Sequence, residues 1–380
     1  MITTYTSGLE TKVFNHIKHI SSYEWNTVFP NRLEGYDFFK TIEETLSDQF
    51  SFYYVMAYRD GLPVGAAPCF LMNYPLDTTI QGPIKKIADV VKKYFPSIFN
   101  LRALICGYPM GQGRLGIHGD SNSVFEAILK GMSKIARDEK VPVLAFKDFG
   151  CAYTATLDCL QREGFYKFES LPNTEMNICF DSFEDYLMTL SGATRYDLKR
   201  KFKKVDGRIK IHMEVKEELS GAALDEAFSL FAQVEAKGEI YFENIPKIFF
   251  EKVAGNMPGN VKYFLWRMNG KMVAFTFCLV SEDRLIDYYL GLDYSVAHQY
   301  NLYFVRFRDL MKWCIENKMK TYEMGSTSYE PKKRLDFKLV PLYVYARHRS
   351  KWINPFFKAL CYFLKPEHFD PVLKEIKKRK

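Results

Sequence analysis

Residues 261–281 read VKYFLWRMNGKMVAFTFCLVS, two apolar runs that meet at Asn269-Gly270. Asn-Gly tolerates the positive φ of a tight hairpin turn, which most residues resist, so the stretch reads as a β-hairpin. The same pattern stands at residues 51–72, SFYYVMAYRDGLPVGAAPCFLM, with Asp60-Gly61 at the turn. Outward from each hairpin come a strand, an amphipathic helix and a further strand. In the first half these are Leu101–Gly107, Asn122–Asp138 and Pro142–Lys147, and in the second Arg284–Leu290, Asn301–Asn317 and Thr321–Gly325. A repeat this long predicts a duplicated domain, not a solenoid.

A chain of 380 residues with 47% hydrophobic content can bury a large core and favours two domains. The divisions expected are 1–180, 181–350 and a basic amphipathic tail over 351–380. Tyr36–Asp48 carries Phe38, Phe39, Ile42 and Leu46 at helical spacing and should pack on the first sheet. Gln81–Asn100, with Lys85-Lys86 and Lys92-Lys93, reads as a basic helix, and Asp225–Gly238 as an amphipathic one.

The net charge of +8 admits an anionic partner, such as CoA, tRNA or an anionic membrane; DNA is not expected. Eight cysteines without a CxxC pair, and seven scattered histidines, argue against a zinc site and a disulfide framework and suit a reducing cytosol. The opening MITTYTSGLETKVFNHIKH lacks the basic and apolar regions of a signal peptide. No run approaches the roughly 20 apolar residues that span a bilayer. The expected location is cytoplasmic, either soluble or peripheral at the inner face of the membrane.

Cys106–Asp120 (CGYPMGQGRLGIHGD) places glycines between a strand and a helix. There, Gly111, Gly113 and Arg114 read either as an anion cradle or as part of a plain flexible turn. The segment is neither a Walker loop nor a dinucleotide fingerprint. Phe183–Lys204 contains a helix ending near Ser191-Gly192 and a second that carries Arg195, Lys199, Arg200, Lys201, Lys203 and Lys204. These cations read as a solvated face or as a grip on an anionic ligand, and lie too close together for local carboxylates to neutralise most of them.

Four stretches taken together resemble the FemAB-like (BioF2-like) group of tandem GNAT-fold acyltransferases. They are Glu24-Trp25-Asn26 with Phe38-Phe39, Tyr108-Pro109-x-Gly111-x-Gly113-Arg114-Leu115, Arg195-x-x-Leu198-Lys199-Arg200, and Tyr322-Glu323-Met324-Gly325 followed by Lys332-Lys333-Arg334-Leu335-x-Phe337-x-x-x-Pro341. The resemblance implies an α/β fold of two GNAT-like domains, each a mixed twisted sheet flanked by helices. It also implies transfer of an acyl group to an amine in the second domain's cleft. The single-domain pyrophosphate motif is not matched, since Ile117 stands where a glycine is needed. No bound cofactor is expected; acyl-CoA or another activated acyl donor would be a co-substrate.

If the two strands splay as the resemblance implies, Asp287, Tyr288, Tyr289, Asp293, Glu323, Ser326, Thr327 and Tyr329 face one opening. Glu323 is the leading candidate for general base, with a structural salt bridge as the rival reading. Tyr289 or Tyr329 could act as general acid. Lys332, Lys333, Ser326, Thr327, Arg195 and Arg200 would hold the donor, and Asp287, Asp293, Gly111, Gly113 and Arg114 the acceptor. Ser326 and Cys314 lack a visible His/Asp arrangement, which argues against a covalent mechanism. Two other readings stay open: a tRNA-dependent aminoacyltransferase of cell-wall peptide biosynthesis, and a non-catalytic binding module for an anionic metabolite or glycan. The tail, with Trp352, Phe356, Phe357, Tyr362 and several lysines, either docks on its own domain or contacts a membrane.

Overall fold

Both hairpin turns form as the dipeptides demand. Asp60 and Gly61 have φ of 52° and 79°, Asn269 and Gly270 51° and 81°. Positive φ at both central residues is the turn geometry whose twist matches the flanking strands. The computed structural model describes residues 2–6, 8–30, 33–75, 100–207, 209–237, 242–363, 365–368 and 370–378. The expected helix over Gln81–Asn100 falls outside them except for Asn100, which opens a strand.

The chain forms two units, one of Met1–Pro172, Phe242–Asn244 and Pro341–Lys380, the other of Asn173–Tyr241 and Ile245–Val340. The first contains β1 (Ile2–Thr6), β2 (Leu9–Phe14), β3 (Ser51–Arg59), β4 (Leu62–Pro75), β5 (Asn100–Cys106), β6 (Gly116–Ile117), β7 (Val143–Gly150) and β8 (Tyr166–Glu169). The second contains β9 (Asn173–Asn177), β10 (Ile211–Lys216), β11 (Val261–Met268), β12 (Lys271–Val280), β13 (Arg284–Leu292), β14 (Thr321–Glu323) and β15 (Lys338–Val340). The chain then returns to the first unit as β16 (Leu342–His348).

The first sheet runs β1-β2-β3-β4-β5-β7-β16-β8, with β6 on β4, and the second β10-β11-β12-β13-β14-β9-β15. Aligned from β2 and β10, the two orders match strand for strand, with one parallel pair in each, β5 with β7 and β13 with β14. A register shift also recurs. The ladder passes from Ala57↔Gly65 to Tyr58↔Pro63 in one hairpin and from Trp266↔Ala274 to Arg267↔Met272 in the other, which leaves Val64 and Val273 as the extra residues. Equivalent bulges at equivalent turn distances mark one structural unit repeated twice.

The units divide at 172/173 and 340/341, whereas the sequence pointed to 180 and 350. The reason is a reciprocal exchange: β9, at the end of the first half, pairs with β14, and β16, at the end of the second, pairs with β7. β9 (NTEMN) has a single apolar residue and β16 (LYVYARH) no strict apolar alternation, so the letters alone do not assign either strand to a sheet.

The helices form where apolar residues recur at helical spacing. Ser121–Asp138 buries Val124, Ile128, Met132 and Ile135 and is capped by Asp120, whose carboxylate accepts from the Asn122 N–H. Ser22–Val28 opens with a full capping box between Ser21 and Glu24. The expected Asp225–Gly238 helix runs over Gly221–Glu235. Among the described residues no helix is long and apolar enough to cross a membrane.

Candidate active site

β13 and β14 part company soon after they meet. They pair in parallel only from Arg284↔Thr321 to Ile286↔Glu323, while β13 continues to Leu292 against β12. The second sheet therefore opens at the carboxyl ends of a parallel pair, where ligands enter open α/β sheets.

A bulge in β13 sets what faces each side. Phe277 pairs with Tyr289 and Cys278 with Asp287, leaving Tyr288 as the extra residue. Without it Asp287 and Tyr289 would share a face; with it they are sent to opposite ones. Tyr289 joins Phe231, Phe249, Phe250 and Phe277 in an aromatic cluster. Asp287 turns to the Leu302–Glu316 helix, where Arg306 Nη1 donates to its carboxylate at 2.6 Å and to Thr276 Oγ1 at 3.0 Å. The Tyr322 hydroxyl donates to the same carboxylate at 3.1 Å. Arg306 is wholly buried, and its Nε and Nη2, like the Tyr303 hydroxyl, meet no hydrogen-bond partner among the described residues.

Lys332 lies near this pair, close enough that the Asp287 and Arg306 charges act on it. It is 4% exposed, and Nζ donates to the carbonyls of Met324 at 2.7 Å, Gly325 at 3.1 Å and Ser326 at 3.4 Å. Burial pushes its ammonium down to about 7. The loop that supplies those carbonyls is strained. Gly325, Thr327 and Ser328 all have positive φ, at 64°, 75° and 50°. For a β-branched threonine that is a rare conformation, costing about 1–3 kcal/mol, and such residues gather at functional sites. Thr174 holds the loop from behind through its N–H and hydroxyl, both donating to the Gly325 carbonyl.

The remaining sequence candidates separate around this centre. Glu323 is 5% exposed and tied on both oxygens, by Arg284 Nε at 2.5 Å and by Asn173 Nδ2 at 3.0 Å. That is the salt-bridge alternative to the general base, and it links β13, β14 and β9. Tyr329 is buried at the start of the Tyr329–Arg334 helix, while Lys333 and Thr327 are exposed and Ser326 half-buried. Asp293 caps the short Tyr294–Ala297 helix and binds Lys271 at 2.8 Å, a structural use of the carboxylate.

On the Gly192–Asp206 helix, Asp197 neutralises more than the sequence suggested. It accepts from Arg200 and Arg334, both at 2.8 Å, and from Lys201. Its carboxyl falls to about 2, the Lys201 hydrogen bond being the strongest cause. Arg195 donates to the Met188 carbonyl at 3.3 Å, while Lys199, Lys203 and Lys204 are exposed.

Gly111, Gly113 and Arg114 belong to the first unit. Gly113 donates its N–H to the Asp148 carbonyl at 2.9 Å and sits so close to β7 that a Cβ would meet the Lys147 carbonyl at 2.2 Å. This glycine serves close packing of the loop. Arg114, half-buried, lies 3.9 Å from the buried Glu34.

Sequence reasoning missed Arg306, Tyr322, Arg284 and Asn173. Arg306 had a signal: it sits between Leu302 and Leu310 at four-residue steps, a cation on an apolar helical stripe. Such a residue must find a buried anion, and Asp287 was already a candidate.

The family profile described as peptidoglycan biosynthesis/recognition, FemAB-like, matches residues 16–368. The chain belongs to the FemAB-like family. Among solved structures, this FemAB-like chain is similar to FemX, with a TM-score of 0.56 at 12% identity over 88% of this chain and 96% of that one. It is also similar to L-PGS from Bacillus licheniformis, with a TM-score of 0.53 at 14% identity over the same shares, 88% and 96%. A tandem GNAT protein from the clavulanic acid biosynthesis pathway gives 0.51 at 8% identity over 90% and 99%. These likenesses establish the tandem GNAT fold. Two Mycobacterium tuberculosis proteins, from strains CDC 1551 / Oshkosh and ATCC 25618 / H37Rv, provisionally named 8-amino-7-oxononanoate synthase 2, are 26% identical over 333 residues. The match covers 83% of the FemAB-like chain and 42% of theirs, so the chain spans under half the length of these curated relatives. Family and fold are those that the sequence resemblance implied.

Proposed function

We propose that the second unit transfers an acyl or aminoacyl group from an activated donor to an amine, at the opening between β13 and β14. The observation that carries this reading is Lys332, a buried lysine with its ammonium brought down to about 7 and placed where the strands part. Attack of an amine on a thioester or ester creates an oxyanion and then expels a leaving group that needs a proton. An ammonium that titrates near neutrality can serve either need. Its bond to Ser326, at 3.4 Å the longest of three, is the one a substrate oxygen would replace with least loss. Glu323, locked to Arg284 and Asn173, holds the strand ends in place.

Acyl-CoA and carrier thioesters fit the resemblance as donors. Aminoacyl-tRNA is favoured by the exposed Lys199, Lys203 and Lys204 on one helix and by the family's description, which points to an amine on a cell-wall precursor as acceptor. The experiment is a thermal-shift screen with acetyl-CoA, longer acyl-CoAs, acyl carrier protein and charged tRNA, followed by turnover with the donor that raises the melting temperature. Stabilisation by one donor, with turnover lost in Lys332→Ala, supports the proposal. Turnover retained in Lys332→Ala overturns the site. Ligand stabilisation without turnover on any amine favours the binding module.

A further inference from the structure

The Asn354–Phe363 helix is apolar on more than one side. Phe357 and Cys361, four residues apart, are buried, and the helix packs on β16 and β8. Trp352, in the preceding turn, and Phe356 are also four apart but point elsewhere, being 88% and 77% exposed. Ile353 and Tyr362, in the same stretch, are exposed as well. Other large exposed apolar side chains among the described residues, such as Tyr23, Leu62, Met188 and Ile248, are scattered singly through the sequence. Here four such side chains fall within eleven residues, and Trp352, Ile353 and Phe356, two of them aromatic and almost bare, gather at the start of the helix as a patch that solvent does not favour.

The charge around the patch says what covers it. Residues 351–380 contain eight Lys and Arg against three Asp and Glu, which is +5 of the chain's +8. Lys365 lies over the Tyr362 ring at 4.4 Å and Lys358 over Tyr166 at 5.0 Å, so cations are interleaved with the aromatics. Protein interfaces are depleted in lysine at their centres. Aromatic side chains that enter the headgroup boundary, flanked by lysines that meet lipid phosphates, instead describe an interfacial helix on an anionic bilayer.

We propose that Trp352, Ile353 and Phe356, with Lys351, Lys358 and Lys365 around them, dock this protein on an anionic lipid surface. The inner face, Phe357 and Cys361, keeps the helix seated on its own sheet while the outer face inserts. The docking is independent of the transfer reading, since a soluble acceptor would still react if it failed.

The test uses the full chain with phosphatidylcholine vesicles made with and without phosphatidylglycerol. Co-sedimentation with the anionic vesicles alone, lost at high salt, is expected. Tryptophan emission should shift to the blue on binding, because Trp25 and Trp266 are already buried and Trp313 half-buried, which leaves Trp352 to report the lipid. Trp352→Phe should remove the shift and keep the binding. Trp352→Ser with Phe356→Ser should weaken partitioning on the order of a hundredfold, and Lys351→Glu with Lys358→Glu should weaken it on anionic vesicles with the melting temperature unchanged. The proposal fails if neither vesicle binds, if both bind equally, or if either double variant binds like the parent. It fails also if the parent forms a concentration-dependent dimer that the Trp352/Phe356 variant abolishes, for then a second copy covers the face.

Discussion

Arg306 and Asp287 form a 2.6 Å ion pair whose side chains are 0% and 3% exposed. Tyr322 and Thr276 complete the network around it. In a low-dielectric interior the attraction roughly repays the desolvation of the two charges, but the loss of one partner strands the other. Asp287→Ala is expected to cost about 3–5 kcal/mol in urea unfolding. Arg306→Met combined with Asp287→Leu should recover most of that, because nothing charged is left behind. A double variant as unstable as Asp287→Ala would mean that the network is worth more than its charges.

Glu323 separates a structural carboxylate from a base. Both oxygens are engaged, one by Arg284 and one by Asn173. Glu323→Gln keeps shape and one acceptor, so it should lower stability by about 1–3 kcal/mol through the weakened charged hydrogen bond. Turnover should fall by less than about tenfold, whereas loss of a general base costs about 10²–10⁴-fold. A loss in the upper range, with the fold intact, would return Glu323 to the role the sequence suggested.

Gly113 carries a prediction for the first unit. The Cβ of an alanine there would stand 2.2 Å from the Lys147 carbonyl and 2.6 Å from the Phe149 ring. Backbone on one side and a buried aromatic on the other leave no cheap relaxation, so Gly113→Ala should destabilise by about 1–3 kcal/mol or more. Gly150→Ala, at a position with open space, is the control and should be near neutral. Equal melting temperatures for the two variants would refute the packing role.

Much of the fold was legible because its signals are local. Two-residue turns at Asp60-Gly61 and Asn269-Gly270 and the apolar period of Ser121–Asp138 need no knowledge of distant residues. The exchange of β9 and β16 was hidden, since strand pairing is a long-range choice that no local signal records. At the site, Asp287 and Lys332 stood out as letters, but the bulge at Tyr288 decides which face each β13 side chain takes. A one-residue insertion in a ladder inverts alternation and leaves no mark in composition.

Lys332 gives the sharpest test, because its titration enters both stability and rate. Burial pushes the ammonium down to about 7 in the native protein, against about 10.4 in an unfolded chain. Below about 7 both states hold the proton, and the native state carries the full cost of a buried charge. Between about 7 and 10.4 the unfolded chain holds a proton that the native state has released, so stability rises with pH across that window and levels off above it. Lys332→Met removes the group from both states and should flatten that rise in melts taken from neutral to alkaline pH. If the ammonium is the form that works, turnover should have a falling limb near neutrality that Lys332→Ala lacks, with kcat lower by about 10²–10³. A parent enzyme whose kcat climbs unbroken through that range would show that the charged lysine takes no part in the chemistry, and Lys332 would then serve only to clamp the Met324–Ser326 carbonyls.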